Sequence, residues 1–182
     1  MVHKLNLKQR DYPIHIIHEI KTIGGVLRHF VSGSAGTGKI LLIKVLYHSL
    51  IKYYNTFRGC NKSEIKVLLS APTGKAAFIK DMTLHSAFAL PINQYEKKLM
   101  ELSAKVSSTL CVKFTNLKAI IIDEISMMGA QMLNNVNCHL WNIFENEEDF
   151  EGISIFLFGD TASSCRQFSY FFFLADLTVS AK

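Results

Sequence analysis

Gly33-Ser34-Ala35-Gly36-Thr37-Gly38-Lys39 has the residue types and spacing to hold a chain of phosphates. Glycines let the backbone turn tightly and bring successive N–H groups to phosphate oxygens that a side chain would obstruct. A helix opening at Lys39 would offer its unpaired N–H groups and partial positive charge to the same anion. Lys39 adds a full charge within reach of the β- and γ-phosphates. The residue after the lysine is the exception. Such loops use Ser or Thr there, whose hydroxyl coordinates magnesium, and this chain has Ile40. Thr37 lies on the other side of the lysine and is no evident substitute. The alternative reading of Ile40 is structural: it belongs to the apolar run that follows and packs with it.

A second group with chemical capacity is Asp123-Glu124, directly after the apolar run Ala119-Ile-Ile-Ile122. A fully apolar run of this length predicts a buried parallel strand. Ligands of open α/β sheets bind at the carboxyl ends of such strands, so both carboxylates should face the phosphates. Asp123 would hold magnesium, directly or through water, and Glu124 would polarise an attacking water. Thr73 and Lys75, in Ala71-Pro-Thr-Gly-Lys-Ala-Ala77, occupy another glycine turn at a strand end. Such a turn suits a nucleic-acid phosphate, or is simply a strand-to-helix connection. His85 on its own reads as a core or capping histidine, and Gln9 as a capping residue.

The elements that must position these groups follow from periodicity. Asn6 with Gln9 three residues on predicts a capped helix, continued by Ile14, Ile16, Ile17, Ile20 and Ile23, broken or restarted at Pro13 and ended by Gly24-Gly25. A strand over 26–32 leads into the glycine loop. Residues 39–54 predict a helix buried on much of its circumference. Further strands are expected over 66–71 and 153–158, the latter ending in Gly159-Asp160, and an amphipathic helix over 128–144. Residues 91–117 are polar and read as a surface excursion; 146–151 read as an acidic loop.

Composition narrows the class. The chain has 182 residues, 49% apolar and 19% charged, enough for one globular domain with a real core. A net charge of +5 and a pI near 9.0 favour a polyanionic partner without requiring one. Cys60, Cys111, Cys138 and Cys165 lack metal-ligand spacing and read as reduced thiols. No apolar signal-peptide core follows Met1, and the apolar stretch 168–179 is too short to span a membrane and contains Asp176. The expectation is a soluble intracellular protein with no membrane partner.

Strand, phosphate loop, helix, strand, helix, strand with Asp-Glu, helix, strand describes an α/β fold of RecA-like P-loop NTPase type, a parallel sheet flanked by helices. The ordered local motifs say more. Leu5-Asn6 with Gln9, Gly33 to Lys39, Ala71 to Ala77, Thr83-Leu-His-Ser86 with Leu90-Pro91, Ile121-Ile-Asp-Glu-Ile-Ser-Met127 and Phe158-Gly-Asp160 together resemble the Pif-one family of superfamily-one DNA helicases. The similarity spans roughly residues 5–160.

That resemblance implies ATP- and Mg2+-dependent translocation on single-stranded DNA, five-prime to three-prime, in genome maintenance, DNA repair, recombination and telomere maintenance. It implies a nuclear location, or a mitochondrial one. By position, Gln9 would recognise adenine, Gly33 to Ile40 would surround the phosphates, and Lys39, Asp123 and Glu124 would carry the chemistry. Thr73, Lys75, His85 and Ser86 would face DNA. Residues 1–165 would form the first of two RecA-like domains, 166–182 a divergent tail, and the second domain would lie outside this chain. The family pattern has Gln and then Leu-Pro-Pro after Gly159-Asp160, where this chain has Ser163, Ser164, Cys165 and Arg166. Two alternatives stand beside this reading: a remnant that binds nucleotide or DNA without hydrolysis, and an unrelated P-loop ATPase.

Overall fold

Asn6 opens the first helix, α1 (Leu7–Ile23), through a reciprocal cap. Its side chain accepts from the Gln9 amide at 2.8 Å, and its own N–H donates to Gln9 Oε1 at 3.2 Å. The break expected at Pro13 does not occur, and the helix runs through it. A proline removes one helical hydrogen bond; here the cap and the burial of Tyr12, Pro13 and Ile16 against the core outweigh that loss. Gly24, in the left-handed region at φ 63°, ends the helix as expected.

The computed structural model describes residues 6–57, 61, 63–73, 82–91, 101–145, 149–160 and 177–178. After α1 come β1 (Arg28–Ser32), α2 (Lys39–Tyr54), β2 (Val67–Ala71), β3 (Met82–Thr83) and α3 (Leu84–Phe88). They are followed by α4 (Ala104–Phe114), β4 (Ala119–Ile122), α5 (Ala130–Phe144), β5 (Ser154–Gly159) and β6 (Leu177–Thr178). The polar excursion expected over 91–117 contains α4. Ser103 caps it by accepting from the Val106 amide, and Leu110 and Phe114, four apart, bury one face. That face meets the Phe88 ring, whose centroid lies 5.6 Å from that of Phe114. The surrounding lysines and serines disguise this narrow stripe in the sequence.

The strands form one sheet in the order β3-β2-β4-β5-β1-β6, and every pairing is parallel. Alternation along each strand divides the core in two. Ile120, Ile122, Ile155 and Leu157 face α3, α4 and α5, together with Leu133, Val136 and Leu140. Ala119, Ile121, Phe156 and Phe158 face α1 and α2, together with Ile16, Leu42, Leu46 and Leu50. Because all strands run the same way, their carboxyl ends share one edge, and the chemically capable residues lie there. Residues 177–178, within the stretch expected as a tail, pair with β1 at Val31 and Ser32. Among the described residues no helix is long and apolar enough to cross a membrane.

Candidate nucleotide site

β1 delivers the chain into the glycine loop, and Gly33 N–H donates to Gly159 O at 3.1 Å, tying the loop to the end of β5. Gly36 and Gly38 adopt φ values of 80° and 87°, a region that strains other residues. Gly38 is the N-cap of α2, its carbonyl accepting from Leu41 and Leu42. Thr37 braces the bend, its hydroxyl donating to Ser34 O at 2.8 Å. Buried Gln9, only 4% exposed, donates through Nε2 to Thr37 O at 2.6 Å. The first helix is thereby bonded directly to the loop.

Lys39 points back over the loop. Its ammonium donates to Gly33 O at 2.6 Å and Ser34 O at 3.0 Å, and forms an ion pair with Asp160 Oδ1. Ile40 does not join the core as its apolar neighbours suggested. It is 54% exposed and lines the cleft, because the buried face of α2 is set by Leu42, Ile43, Leu46 and Leu50. An isoleucine therefore stands at the cleft wall where the loop pattern has a hydroxyl.

Across the cleft, β4 leads directly into Asp123, whose N–H donates to Ser70 O at 3.0 Å. Glu124 follows in a left-handed conformation, φ 55° and ψ 41°, uncommon for a residue other than glycine and frequent at functional sites. This turn lets the Glu124 N–H donate to Asp123 Oδ1 at 2.8 Å. Burial pushes the Asp123 carboxyl above its ordinary range. The Glu124 N–H and Lys39 oppose that shift, while the Glu124 and Asp160 carboxylates add to it. Glu124 Oε2 accepts from Thr73 Oγ1 at 3.2 Å, joining the end of β2 to the acid pair.

A cleft of about 460 Å³ results, lined by the loop, Lys39, Ile40, Asp123, Glu124, Ser126, Met127 and Asp160. The carboxyl ends of four adjacent strands supply these groups and Thr73. Among the described residues, no group of three or more acidic, histidine or cysteine side chains is arranged to hold a metal. Asp123 offers one carboxylate with one oxygen already bonded, and Ile40 offers nothing. That donor set suits an ion arriving on phosphate oxygens with its own water, the usual habit of magnesium, and not a resident ion.

His85 and Ser86 lie elsewhere, in α3 at the β3 edge of the sheet, His85 half-buried and Ser86 exposed. Ser86 is held by Thr83, whose side chain accepts from its amide and donates to its hydroxyl. Lys75 falls outside the described residues, as do positions 163–166. Sequence reasoning did not include Asp160, Ser126 or Met127 among the site residues. Asp160 had a signal, a polar residue at the carboxyl end of a buried strand; Met127, 62% exposed, had none, since its placement depends on the turn at Glu124.

The family model for PIF1-like helicases matches residues 4–165. The ATP-dependent DNA helicase PIF1 of Candida albicans is 33% identical over 132 residues, covering 72% of this chain and 14% of that protein. The ATP-dependent DNA helicase Pif1 of a Psychrobacter species is 34% identical over 134 residues, covering 72% of this chain and 18% of its own length. A crystal structure of Pif1 helicase from Bacteroides in complex with ADP-AlF3 and single-stranded DNA superposes with a TM-score of 0.57 at 28% identity, covering 82% of this chain and 32% of that one. This chain thus spans under a fifth of the length of these two curated relatives. A phosphate loop and an Asp-Glu pair on one edge of a parallel sheet, with a family match across nearly the whole length, place the chain in the PIF1-like helicase family.

Proposed function

We propose that this chain is the ATP-binding half of an ATP-dependent DNA helicase that couples hydrolysis to five-prime to three-prime movement on single-stranded DNA. The observation that carries the reading is the cleft in which the glycine loop and Lys39 face Asp123 and Glu124. The loop amides and the start of α2 receive the phosphates. Lys39 exchanges the Asp160 carboxylate and two loop carbonyls for phosphate oxygens. Asp123 would hold magnesium. Glu124, oriented by Thr73, positions and polarises the attacking water. Gln9 lies on the adenine side. At that site magnesium would supply charge neutralisation for the phosphates.

On this reading Thr73, Lys75, His85 and Ser86 contact DNA, mainly at its backbone and hence with tolerance of sequence. The Thr73–Glu124 hydrogen bond supports a link between that side and hydrolysis. A second RecA-like domain completes the motor, consistent with the greater length of the relatives. Residues 1–165 carry the first such domain; 166–182 diverge from the family pattern, and within them β6 joins the same sheet. Repair, recombination and telomere maintenance, in the nucleus or the mitochondrion, are the settings such a motor serves.

The deciding experiment is ATP binding to the chain with and without magnesium, beside Lys39→Ala and Ile40→Thr. Binding that magnesium tightens and Lys39→Ala abolishes supports the enzyme reading. Binding indifferent to magnesium until Ile40→Thr is introduced identifies a nucleotide binder that has lost hydrolysis. Absence of binding in every form rejects both.

A further inference from the structure

Gln9 makes two bonds with opposite ends of one carboxamide. Oε1 accepts from the Asn6 N–H at 3.2 Å, which locks the side chain to the start of α1. Nε2 donates to the Thr37 carbonyl at 2.6 Å. The group is 4% exposed, so neither bond competes freely with water. In a trans peptide the C=O and the following N–H point in opposite directions. Holding the Thr37 C=O toward Gln9 therefore aims the Gly38 N–H away from it, and Gly38 lines the phosphate cleft. The restraint is needed because Gly38, at φ 87°, has no side chain to resist rotation of that peptide. A Cβ at Gly38 would sit 3.6 Å from Gln9 Nε2, so the amide abuts this residue directly.

We propose that Gln9 is a positioning residue for the phosphate loop: it fixes the Thr37–Gly38 peptide so that the loop receives phosphate whatever base is attached. The proposal rests on the reading of this loop as a nucleotide site, and goes beyond adenine recognition.

Gln9→Glu separates the two bonds. The new carboxylate still accepts from Asn6 N–H and is favourable in the first turn of a helix, so α1 keeps its cap. It has no proton for Thr37 O, and sets two oxygens against each other. Affinities of the full chain for ATP, GTP and inorganic tripolyphosphate would be measured by calorimetry for wild type, Gln9→Glu, Asn6→Ala and Lys39→Ala. Thermal melts would verify folding. Gln9→Glu is expected to weaken all three ligands by a similar factor, about tenfold for one lost buried hydrogen bond and the repulsion replacing it. Asn6→Ala, which removes only the helix cap, should lower the melting temperature and leave the affinities within about twofold.

Loss confined to ATP, with GTP and tripolyphosphate unchanged, would overturn the proposal and leave Gln9 as a base reader. If tripolyphosphate binds too weakly to measure, equal against unequal loss of ATP and GTP decides the same question. If the wild-type chain binds none of the three, the nucleotide reading itself fails and the proposal with it. Wild-type binding that survives Lys39→Ala would overturn both in the same way.

Discussion

Lys39 is held by two carbonyls and a carboxylate, so a nucleotide must replace those partners to engage it. Removing the charge through Lys39→Ala should weaken ATP binding by more than about tenfold, given the strength of charge-assisted bonds to phosphate; titration of the purified variant checks this. Asp160 is half exposed, so its ion pair with Lys39 is worth little. Asp160→Asn should accordingly tighten ATP binding by no more than about fivefold. A large loss in the same titration would mean that Asp160 contributes to the bound state instead. At position 40 the exposed isoleucine can be exchanged without opening a hole in the core. Ile40→Thr should leave the melting temperature nearly unchanged while increasing the degree to which magnesium tightens nucleotide binding.

At the scale of elements, the end of β5 and the turn after β4 are packed to overlap distance. A Cβ added at Gly159 would collide with Ile125 Cγ2, and Ile125 follows Glu124 directly. Gly159→Ala should cost about 1–3 kcal/mol of stability, measured by urea unfolding, and should weaken nucleotide binding through the displaced turn. The contact of α1 with β1 has its own chemistry. His29 is buried against Tyr12 and Phe156, with Glu19 Oε2 3.5 Å from its Nε2 and the same oxygen 3.6 Å from His15 Nε2. Burial lowers the His29 pKa from its ordinary 6.5; the Glu19 carboxylate opposes this and His15 adds to it. Burial is the larger effect, so the ring holds its proton less readily than a free histidine. A group with a depressed pKa takes up its proton more readily in the unfolded chain. Stability is thus intact above 6.5 and is lost as pH falls toward the folded value. Melting temperature should drop as pH falls below 6.5, and His29→Phe should flatten that drop.

For the whole molecule, the described lining of the cleft comes from a single sheet edge. Charge on a transferring phosphoryl group is commonly stabilised by an arginine from a facing domain, an effect of about 10³–10⁵ in rate. The 182-residue chain alone should therefore bind ATP yet fail to separate a forked duplex in a strand-displacement assay. Unwinding by this chain would show that one RecA-like domain suffices. Binding of single-stranded DNA, if carried by backbone contacts, should fall steeply between low and physiological salt and vary little with sequence. Fluorescence anisotropy at several salt concentrations measures both.

Patterns that repeat along the chain were legible from the sequence alone. A run of four buried residues, Ala119 to Ile122, marks a strand, glycine spacing marks the loop, and Asn6 with Gln9 marks a helix start. These depend on neighbours within a few residues, so a one-dimensional reading reaches them. Pro13 inside an unbroken helix and the buried stripe of α4 were not legible, because tertiary burial overrode local preference. The side on which Ile40 lies was decided by the other residues of α2 that compete for the core. The bond from Gln9 to Thr37 joins residues 28 apart, and that from Thr73 to Glu124 residues 51 apart. Local spacing carries no trace of such pairs; only the packing of α1 on α2 and the adjacency of β2 and β4 brings them within reach.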